Sequence, residues 1–290
     1  MIRIGVAGWD YPDWRGVVYP RGEKKGFDRL EYISRYVEVV EINSSFYRPV
    51  SPHVAESWVR RTAGRESFRF TAKAHRSWTH DEEPDLNRQV DLTLEGLAPL
   101  RREGMLGALL VQFPQSFHFR ERSRERIDNL IALAGQWPLV FEVRHASWQD
   151  EEAIDWFARR GAGWCVVDQP LIGDATARAT PRVNGARGYL RLHGRNRKDW
   201  FRPQAGRDAR YDYLYDAAEL DALAGAARAM AERAAELFVI QNNHFRGQAL
   251  VNALQMMRLL QNRSPAAPEE VVMAYPQLQG EVTVQRTRLF

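Results

Sequence analysis

The hydrophobic residues of this chain fall in short, dense runs that alternate with longer stretches in which apolar residues recur at helical spacing. The short runs are rich in Val, Ile, Leu and Phe and predict β-strands, whereas the longer stretches predict amphipathic helices. We expect strands at residues 2–8, 39–47, 68–74, 107–114, 139–145, 163–169, 188–194 and 237–243. Helices are expected near residues 27–37, 52–63, 85–103, 121–135, 148–160, 216–236 and 246–262.

Regular alternation of strand and helix is typical of α/β folds with a parallel sheet. The sixth interval, "PLIGDATARATPRVNGAR", has no helical period and predicts an irregular crossover. We predict a (β/α)8 TIM barrel, a single domain over residues 1–290, with a C-terminal tail that packs against the outside of the barrel. A doubly wound open sheet is the alternative.

The composition indicates the cellular compartment of the protein. The chain has 290 residues, a net charge of +4 and one cysteine, which excludes an intrachain disulfide framework and fits a reducing compartment. The start "MIRIGVAGWD" predicts a strand rather than a signal peptide, and no apolar run is long enough for a membrane helix. We therefore expect a cytoplasmic protein with no membrane partner. The oligomeric state is not predicted.

Side chains that can bind ligands or take part in catalysis cluster after the predicted strands. All seven histidines follow strands or begin the next helix, as do five of the nine tryptophans. All four lysines of this arginine-rich chain lie there too, at Lys24, Lys25, Lys73 and Lys198. In a TIM barrel these segments form one face, and that face carries the active site. We therefore predict a functional site at the mouth of the barrel.

The seventh strand, "GYLRLHGR", ends in an unusual concentration of basic groups. Strand alternation places Arg191, His193 and Arg195 on one side, facing the mouth, while the leucines between them face the helices. Arginine grips carboxylate or phosphate through two parallel hydrogen bonds, so the pattern favours an anion site. The alternative is an internal network of ion pairs with Glu41, Glu142 or Asp168.

Two carboxylates occupy comparable positions on other strands. Glu41 shares a strand face with Asn43, and Glu142 shares one with Arg144. Either acid is a candidate proton acceptor, and paired acids also serve glycoside hydrolysis. Because a buried carboxylate needs a partner, structural pairing with an arginine is the favoured explanation for each.

Lys73 ends the third predicted strand. Its amine has three possible chemical roles, namely anion ligand, base and Schiff-base nucleophile. We favour an anion ligand, with an ordinary ion pair as the alternative. A Schiff base is the least favoured role, because the surrounding sequence does not indicate the apolar pocket needed to lower the pKa of the amine.

No cofactor is predicted. The string "GVAGWD" has neither a GxGxxG nor a GK[ST] motif. The obvious metal ligands would be His193, His244, Glu142 and Asp168, but their spacing is not diagnostic and we predict no metal site. Cys165 lies early in a strand and is interpreted as a core thiol.

Several strings together carry a family resemblance: "GVAGWDYPDWRGVVYP", "VEINSSFYRPV", "FRFTAKAHRSWTH", "FEVRHASW", "YLRLHGR" and "NNHFRGQALVNAL". In this order the chain resembles the domain of unknown function 72 family, also called YecE-like proteins. The resemblance implies an eight-stranded barrel and no settled activity. It also implies hallmark polar positions, which in this sequence are Glu41, Asn43, Tyr47, Lys73, His80, Glu142, Arg144, Arg191, His193, Arg195, Asn242, Asn243 and His244. Gln241 departs from the family, which often has an aromatic residue there.

These observations favour an enzyme of hydrolase or lyase type that acts on an anionic, phosphate-bearing or nucleotide-related substrate. Arg191, Arg195 and Lys73 would hold the anion, Glu142 or Glu41 would accept a proton, and His193 or His244 would donate one. Four aromatic residues, Trp9, Tyr47, Trp78 and Trp148, are candidates for stacking on a base or sugar, which keeps single-stranded nucleic acid among the partners. The alternatives are a non-catalytic anion or nucleic-acid binding module and a metal-dependent hydrolase or endonuclease.

Overall fold

A closed parallel barrel forms the centre of the protein. The computed structural model describes residues 1–81, 85–173, 176, 179–202 and 208–286. Its barrel strands are β1 (Ile2–Ala7), β2 (Val39–Ile42), β3 (Arg69–Lys73), β4 (Leu106–Gln112), β5 (Leu139–Glu142), β6 (Gly163–Asp168), β7 (Arg187–Leu192) and β8 (Glu236–Gln241). Each strand pairs with the next, and β8 pairs in parallel with β1. The predicted TIM barrel is confirmed, and the open-sheet alternative is wrong.

Helices surround the barrel. Within the described residues they are α1 (Arg29–Ile33), α2 (Ser44–Tyr47), α3 (Pro52–Arg61), α4 (Leu86–Arg102), α5 (Glu121–Ala134), α6 (Glu151–Ala158), α7 (Ala217–Ala231), α8 (Gln248–Gln261) and α9 (Glu269–Ala274). Local capping fixes several of their starts: Asp216 and Glu219 form a capping box on α7, and Ser51 caps α3, which has proline in its first turn. None of these helices is long and apolar enough to cross a membrane.

The second predicted strand was too long. It ends at Ile42, and its last residues form the short helix α2 instead. The hydroxyl of Ser45 donates to the carbonyl oxygens of Ile42 and Lys73, at 3.0 and 2.6 Å, which ties this turn to the ends of β2 and β3. Residues of α2 are thereby turned toward the mouth of the barrel rather than continuing the sheet.

The sixth crossover and the C-terminal tail follow the prediction. The described residues between β6 and β7 include no α-helix, and residues 174, 175, 177 and 178 of that crossover lie outside the described residues. After α8 the tail forms a small parallel ribbon, β9 (Ala266–Pro268) with β10 (Thr283–Gln285), around α9. Val271, Val272 and Leu278 are buried in the same cluster as the helices, so the tail packs on the outside of the barrel. Residues 287–290 of the predicted tail lie outside the described residues.

Strand alternation divides the core into an outer and an inner layer. Leu190 and Leu192 of β7 belong to the large cluster between the sheet and the helices, as the sequence predicts. The barrel interior is a separate apolar plug that includes Val140, Tyr189 and Phe238. Above this plug, at the carboxyl ends of the strands, the inward residues become polar. This change of polarity defines the floor of the mouth.

Candidate functional site

An open cavity of about 700 Å³ lies at the carboxyl ends of the strands. Its volume is in the range of small-molecule sites. Its wall contains Gly8, Trp9, Asp10, Tyr11, Asn43, Ser44, Phe46, Tyr47, Lys73, Arg76, His80, Gln112, Pro114, Arg144, Arg191, Arg210, Tyr211, Asn242 and His244. The cavity therefore lies at the mouth, where the sequence analysis expects the site.

The predicted site residues divide into three groups. Nine line the cavity: Trp9, Asn43, Tyr47, Lys73, His80, Arg144, Arg191, Asn242 and His244. Three are fully buried and absent from its wall, namely Glu41, Glu142 and His193. The other five lie elsewhere: Asp168, Arg195, Asn243, Trp78 and Trp148. The grouping decides which side chains can meet a ligand.

A network of buried ion pairs forms the floor of the cavity. One guanidinium group, that of Arg191, bridges two carboxylates: Nη2 donates to Glu41 Oε1 at 2.7 Å and Nη1 to Glu142 Oε2 at 2.5 Å. The Tyr189 hydroxyl donates to the second oxygen of Glu41 at 2.8 Å. Because these groups neutralise one another, the predicted internal pairing, and not a free anion site, describes Arg191.

Arg144 and His193 extend this floor. Nε of Arg144 donates to Glu142 Oε1 at 2.5 Å, and its Nη2 lies 3.2 Å from Nε2 of His193. Nδ1 of His193 contacts the side-chain amide of Asn242 at 2.7 Å. Burial and the neighbouring Arg191 lower the pKa of His193 to about 3, so the ring is neutral at physiological pH.

Burial and pairing therefore disfavour the acid–base roles predicted for Glu41, Glu142 and His193, because none of the three side chains lines this cavity. Burial by itself raises the pKa of Glu142, but Arg144 and Arg191 outweigh it and hold the pKa well below its usual range. A carboxylate held ionised in this way is a weak base, and all three side chains are fully buried. Since one guanidinium joins the two acids, they also cannot flank a glycosidic bond.

Arg195 was expected in the mouth and lies outside it. Gly194, with φ of +87°, turns the chain after β7 and ends the alternation that Arg191 and His193 follow. The Arg195 guanidinium instead pairs with Asp168 at 2.8 Å and with Glu219 of α7 at 2.9 Å. Asp168 also accepts a hydrogen bond from Tyr215 at 2.6 Å. The roles predicted for Arg195 and Asp168 at the substrate are thus replaced by internal pairing.

Asn243 also faces away from the mouth. Its side-chain amide donates to the carbonyl oxygen of Tyr213 and to Oδ1 of Asn252 on α8, at 2.8 and 2.7 Å. Successive side chains along an extended backbone point to opposite sides of the sheet. Asn242 therefore lines the cavity, whereas Asn243 binds residues of the helix layer.

Trp78 and Trp148 cannot stack on a ligand. Both side chains are fully buried, and each indole donates to a backbone carbonyl, Trp78 to Gln89 and Trp148 to Phe117. Their polar N–H groups are satisfied inside the outer core, which is the usual arrangement for buried tryptophan. The contact with a base or sugar predicted for Trp78 and Trp148 is therefore not available to these buried rings.

Lys73 differs from every basic group of the floor. Its side chain is 9% exposed on the cavity wall, and Nζ lies 4.1 Å from the centre of the Phe46 ring. Among the described residues no oxygen lies within hydrogen-bonding or ion-pairing distance of Nζ. Burial, followed by the positive charge of Arg191, lowers the pKa of Lys73 to about 7. The amine is therefore close to half deprotonated at neutral pH.

The remaining charges of the wall are mainly positive. Among its described residues, five are Lys or Arg and the single acid is Asp10, which pairs with Arg29. Arg76 is paired with Asp81, but Arg210 has no acidic partner in the described part of the chain. Arg144 lines the cavity and Nη1 of its guanidinium makes no hydrogen bond to a described residue. These groups leave positive charge available to a ligand.

Aromatic rings cover much of the rest of the wall. Tyr47 is 65% exposed, and its ring meets Phe46 edge to face. The imidazole of His244 stacks on Tyr11 with ring centroids 4.3 Å apart, and Tyr211 lies 4.9 Å from it. His80 also contacts Phe46, and burial together with Lys73 and other nearby cations lowers its pKa to about 4. The surface that the wall presents to a ligand is therefore aromatic and cationic.

Comparison with known proteins places the chain and its fold in a family. The chain matches the family described as "Protein of unknown function DUF72" over residues 3–274. The chain belongs to the DUF72 family. A crystal structure of a DUF72 family protein from Enterococcus faecalis V583 is 26% identical, with a TM-score of 0.80 and coverage of 90% of this chain and 96% of that one. One from Thermotoga maritima MSB8 is 30% identical, with a TM-score of 0.77 and coverage of 90% and 99%.

A curated relative of this DUF72 protein is similar over most of its length. The UPF0759 protein YunF of Bacillus subtilis strain 168 is 28% identical over 273 residues, which is 90% of this chain and 95% of YunF. The family resemblance stated from the sequence is thereby confirmed. The matched relatives establish the family and the barrel, and their names state no substrate or reaction.

Several wall residues of this DUF72 protein were missed by sequence reasoning. Tyr11, Phe46 and Gln112 lie within the strings and strands already singled out, so their position next to chosen residues was an available signal. Arg210 and Tyr211 lie in a short 3-10 helix well after β7. No strand period reaches that far, so the sequence contained no signal that would bring them to the mouth.

The side chains named as possible metal ligands, His193, His244, Glu142 and Asp168, do not converge. Across the described ranges, no three His, Cys, Asp or Glu side chains converge as they would around a metal ion. Glu142 is held by Arg191 and Asp168 by Arg195, on opposite sides of the sheet from each other. The arrangement instead combines a neutralised floor with a cationic, aromatic wall and one poorly compensated amine.

Proposed function

We propose that this DUF72 protein is an enzyme that binds a small anionic substrate in the mouth of the barrel and uses the amine of Lys73 for proton transfer. The observation that carries the proposal is the state of Lys73: its Nζ faces the cavity without an oxygen partner among the described residues, while Arg191 beneath it is paired with two carboxylates. An uncompensated cation at low exposure is costly, which supports a functional reason for it.

Recognition of the anion is supported by the charges left over on the wall. Nη1 of Arg144 and the guanidinium of Arg210 have no described partner, and both residues line the cavity. Arginine binds carboxylate and phosphate oxygens through directed, charge-assisted hydrogen bonds. The aromatic rings of Tyr47 and Trp9 add flat apolar surface, which suits the sugar or base of a phosphorylated compound or nucleotide.

Lys73 replaces the carboxylates as the proton-transfer group. A general base works best when its pKa is close to the working pH, and the pKa of Lys73 is lowered to about 7 by burial and by Arg191. The amine can therefore take up a proton from a substrate at neutral pH and return it later in the same cycle. Glu41 and Glu142 are each paired with Arg191 and fully buried, so neither carboxylate reaches a ligand in the cavity.

Binding of small anions tests the recognition part of this proposal. Isothermal titration calorimetry with inorganic phosphate, citrate and adenosine monophosphate is expected to show binding by at least one of them, weakened about tenfold by Arg210→Gln. Arg102→Gln is the matched control, because Arg102 lies at the end of α4, is exposed and does not line the cavity. Absence of millimolar binding by all three compounds, or equal loss in both variants, would overturn the recognition part.

Turnover tests the catalytic part. Phosphomonoesters, sugar phosphates and oxo acids are screened with the wild-type protein, and any activity found is expected to fall at least a hundredfold in Lys73→Met. If activity survives that substitution, Lys73 is not the proton-transfer group. If Lys73→Met binds the anions normally and the screen shows no turnover, a non-catalytic binding module is the better account.

A further inference from the structure

We propose that Lys73 is a nucleophile that forms a Schiff base with the aldehyde or ketone of a substrate that also carries a phosphate or carboxylate. This inference rests on the anion-recognition part of the proposed function, because the cationic wall of the same cavity holds the anionic end of the substrate; the Lys73 amine bonds to the substrate instead of acting as a free base. It adds a substrate class, anionic carbonyl compounds, and a covalent step.

The position of the amine suits nucleophilic attack. Lys73 is the last residue of β3, so a rigid strand of the barrel fixes the root of its side chain at the base of the cavity. The carbonyl oxygen of Lys73 is also held by the Ser45 hydroxyl at 2.6 Å. Since no described oxygen binds Nζ, attack requires no ion pair to be broken first.

The environment keeps part of the amine unprotonated. Burial and the positive charge of Arg191 lower the pKa of Lys73 to about 7. At pH 7 about half of the amine is then neutral, against about one part in 10³ for an ordinary lysine. Only the neutral form has the lone pair that attacks a carbonyl carbon, so the gain in reactive amine is large.

The sequence-based objection to a Schiff base is removed by the tertiary structure. The objection was that the residues around Lys73 do not indicate an apolar pocket. The apolar contact is supplied instead by Phe46, whose ring in α2 lies 4.1 Å from Nζ. The second ingredient is a like charge, because Arg191 of β7 reaches the same floor from across the barrel.

The covalent step balances with water alone. The Nζ lone pair attacks the carbonyl carbon and forms a C–N bond, while the carbonyl π electrons move to oxygen. A proton passes from this nitrogen to the oxygen and gives a neutral carbinolamine. A second proton on the hydroxyl lets it leave as water, while the nitrogen lone pair forms the C=N bond of a protonated imine. The net change is amine plus carbonyl plus one proton giving iminium plus water, and hydrolysis reverses it. The open cavity gives water access to this site.

The surroundings also stabilise the cation that this step creates. The face of Phe46 attracts a positive nitrogen, and the charges of Glu41 and Glu142 beneath it act in the same direction. The substrate anion, bound near Arg144 and Arg210, adds a negative charge to a wall whose single described acid, Asp10, is paired with Arg29. Substrate charge therefore compensates both the wall and the iminium, which explains why a carbonyl compound with an anionic group fits better than a neutral one.

Reductive trapping tests the inference, and the scarcity of lysine makes the test clean. Pyridoxal 5′-phosphate is an anionic aromatic aldehyde, and glyoxylate is a small anionic one. Each is incubated with the full chain at pH 7, reduced with borohydride or cyanoborohydride and mapped by peptide mass spectrometry over Lys24, Lys25, Lys73 and Lys198. We expect saturable labelling at Lys73 that exceeds that of each other lysine at least tenfold, and a rate that rises with pH up to about 7 and then levels off.

Matched controls separate the covalent role from anion binding. Pyridoxal without phosphate is expected to label Lys73 at least tenfold more slowly, and inorganic phosphate is expected to protect Lys73 from the phosphorylated probe. Lys73→Arg keeps the positive charge, so it should bind phosphate in calorimetry and lose all labelling at this position. Equal labelling of the four lysines, or an unlabelled Lys73 with both probes, would overturn the Schiff base.

The outcomes also distinguish this inference from the proposed function. If Lys73 is unlabelled while the wild-type protein and Lys73→Arg both bind phosphate, anion recognition stands and the covalent step fails. If Lys73 is labelled selectively but phosphate neither binds nor protects, the nucleophile stands and the anionic substrate class fails.

Discussion

The floor and the wall of the barrel mouth are built from similar residue types and treat charge in opposite ways. On the floor, Arg191 is matched by Glu41 and Glu142, and every one of these groups is almost completely buried. On the wall, Lys73 is nearly as buried but has no described oxygen partner. The two regions are adjacent, since Arg191 contributes to both.

The difference shows which charges serve the fold and which are available for chemistry. A buried ion-pair network that joins several strands keeps the side chains at their ends in one arrangement. A buried cation without a partner lowers stability and persists where function needs it. Substitutions in the two regions should therefore change stability in opposite directions.

Removing the central cation of the floor is expected to have the largest effect. Arg191→Met leaves Glu41 buried without a cationic partner and Glu142 with Arg144 alone, and breaking a buried pair in this way typically costs about 3–5 kcal/mol. We expect a strongly reduced free energy of unfolding in urea at pH 7. Arg102→Gln, in an exposed pair, should change stability by less than about 0.5 kcal/mol. Equal stability of Arg191→Met and wild type would show that the floor is not structural.

Replacing the unpaired amine should have the opposite sign. Lys73→Met removes a group whose pKa is lowered to about 7 by burial and Arg191, so the variant is expected to be more stable than wild type at pH 6, by on the order of 3 kcal/mol. Between pH 7 and about 10 the unfolded wild-type chain binds this proton and the folded chain does not. Wild-type stability therefore rises with pH in this window and the difference between the two proteins narrows.

Urea unfolding of both proteins at pH 6, 8 and 9.5 measures this change. A Lys73→Met variant that is less stable than wild type at every pH would show that the amine has a stabilising partner, and the contrast between floor and wall would fail.

The barrel was predictable because its signals are local and repeated. Each strand is a dense apolar run, and several of the predicted helices have a start signal, such as Ser51 before α3 and Asp216 before α7. Errors occur at strand ends: the prediction extended β2 through residues that form α2, because Phe46 and Tyr47 have high strand propensity but are turned into the mouth.

The site was predictable only as far as strand alternation holds. Strand alternation correctly predicts that Arg191, His193 and Asn242 point into the barrel. The rule fails for Arg195, because Gly194 adopts a left-handed conformation that ends the alternation. Pairing is also invisible in the sequence: that Arg191 joins two acids from β2 and β5 is a property of barrel closure. The lowered pKa of Lys73 arises from burial and from Arg191, more than 100 residues away in the chain.

Arg195 offers a weaker test of the contrast, because it is paired but lies outside the mouth. Arg195→Gln breaks ion pairs with Asp168 and Glu219 that are about one-third exposed on the arginine side. We expect a loss of about 1–2 kcal/mol in urea unfolding. Phosphate affinity should stay within twofold of wild type, because Arg195 does not line the cavity. A tenfold loss of phosphate affinity would show that Arg195 takes part in binding the anion.

The smallest effect on stability is expected at the exposed Tyr47 of the cavity wall, whose predicted role is contact with a ligand. Tyr47 is 65% exposed, so Tyr47→Ala should change the free energy of unfolding by less than about 0.5 kcal/mol. If its ring stacks on a base, the variant should bind adenosine monophosphate roughly tenfold more weakly and inorganic phosphate equally well. Leu133→Ala, an exposed apolar truncation on α5 away from the cavity, is the matched control. Equal affinity of Tyr47→Ala and Leu133→Ala for adenosine monophosphate would show that the wall recognises charge alone, and the substrate would then need no aromatic base.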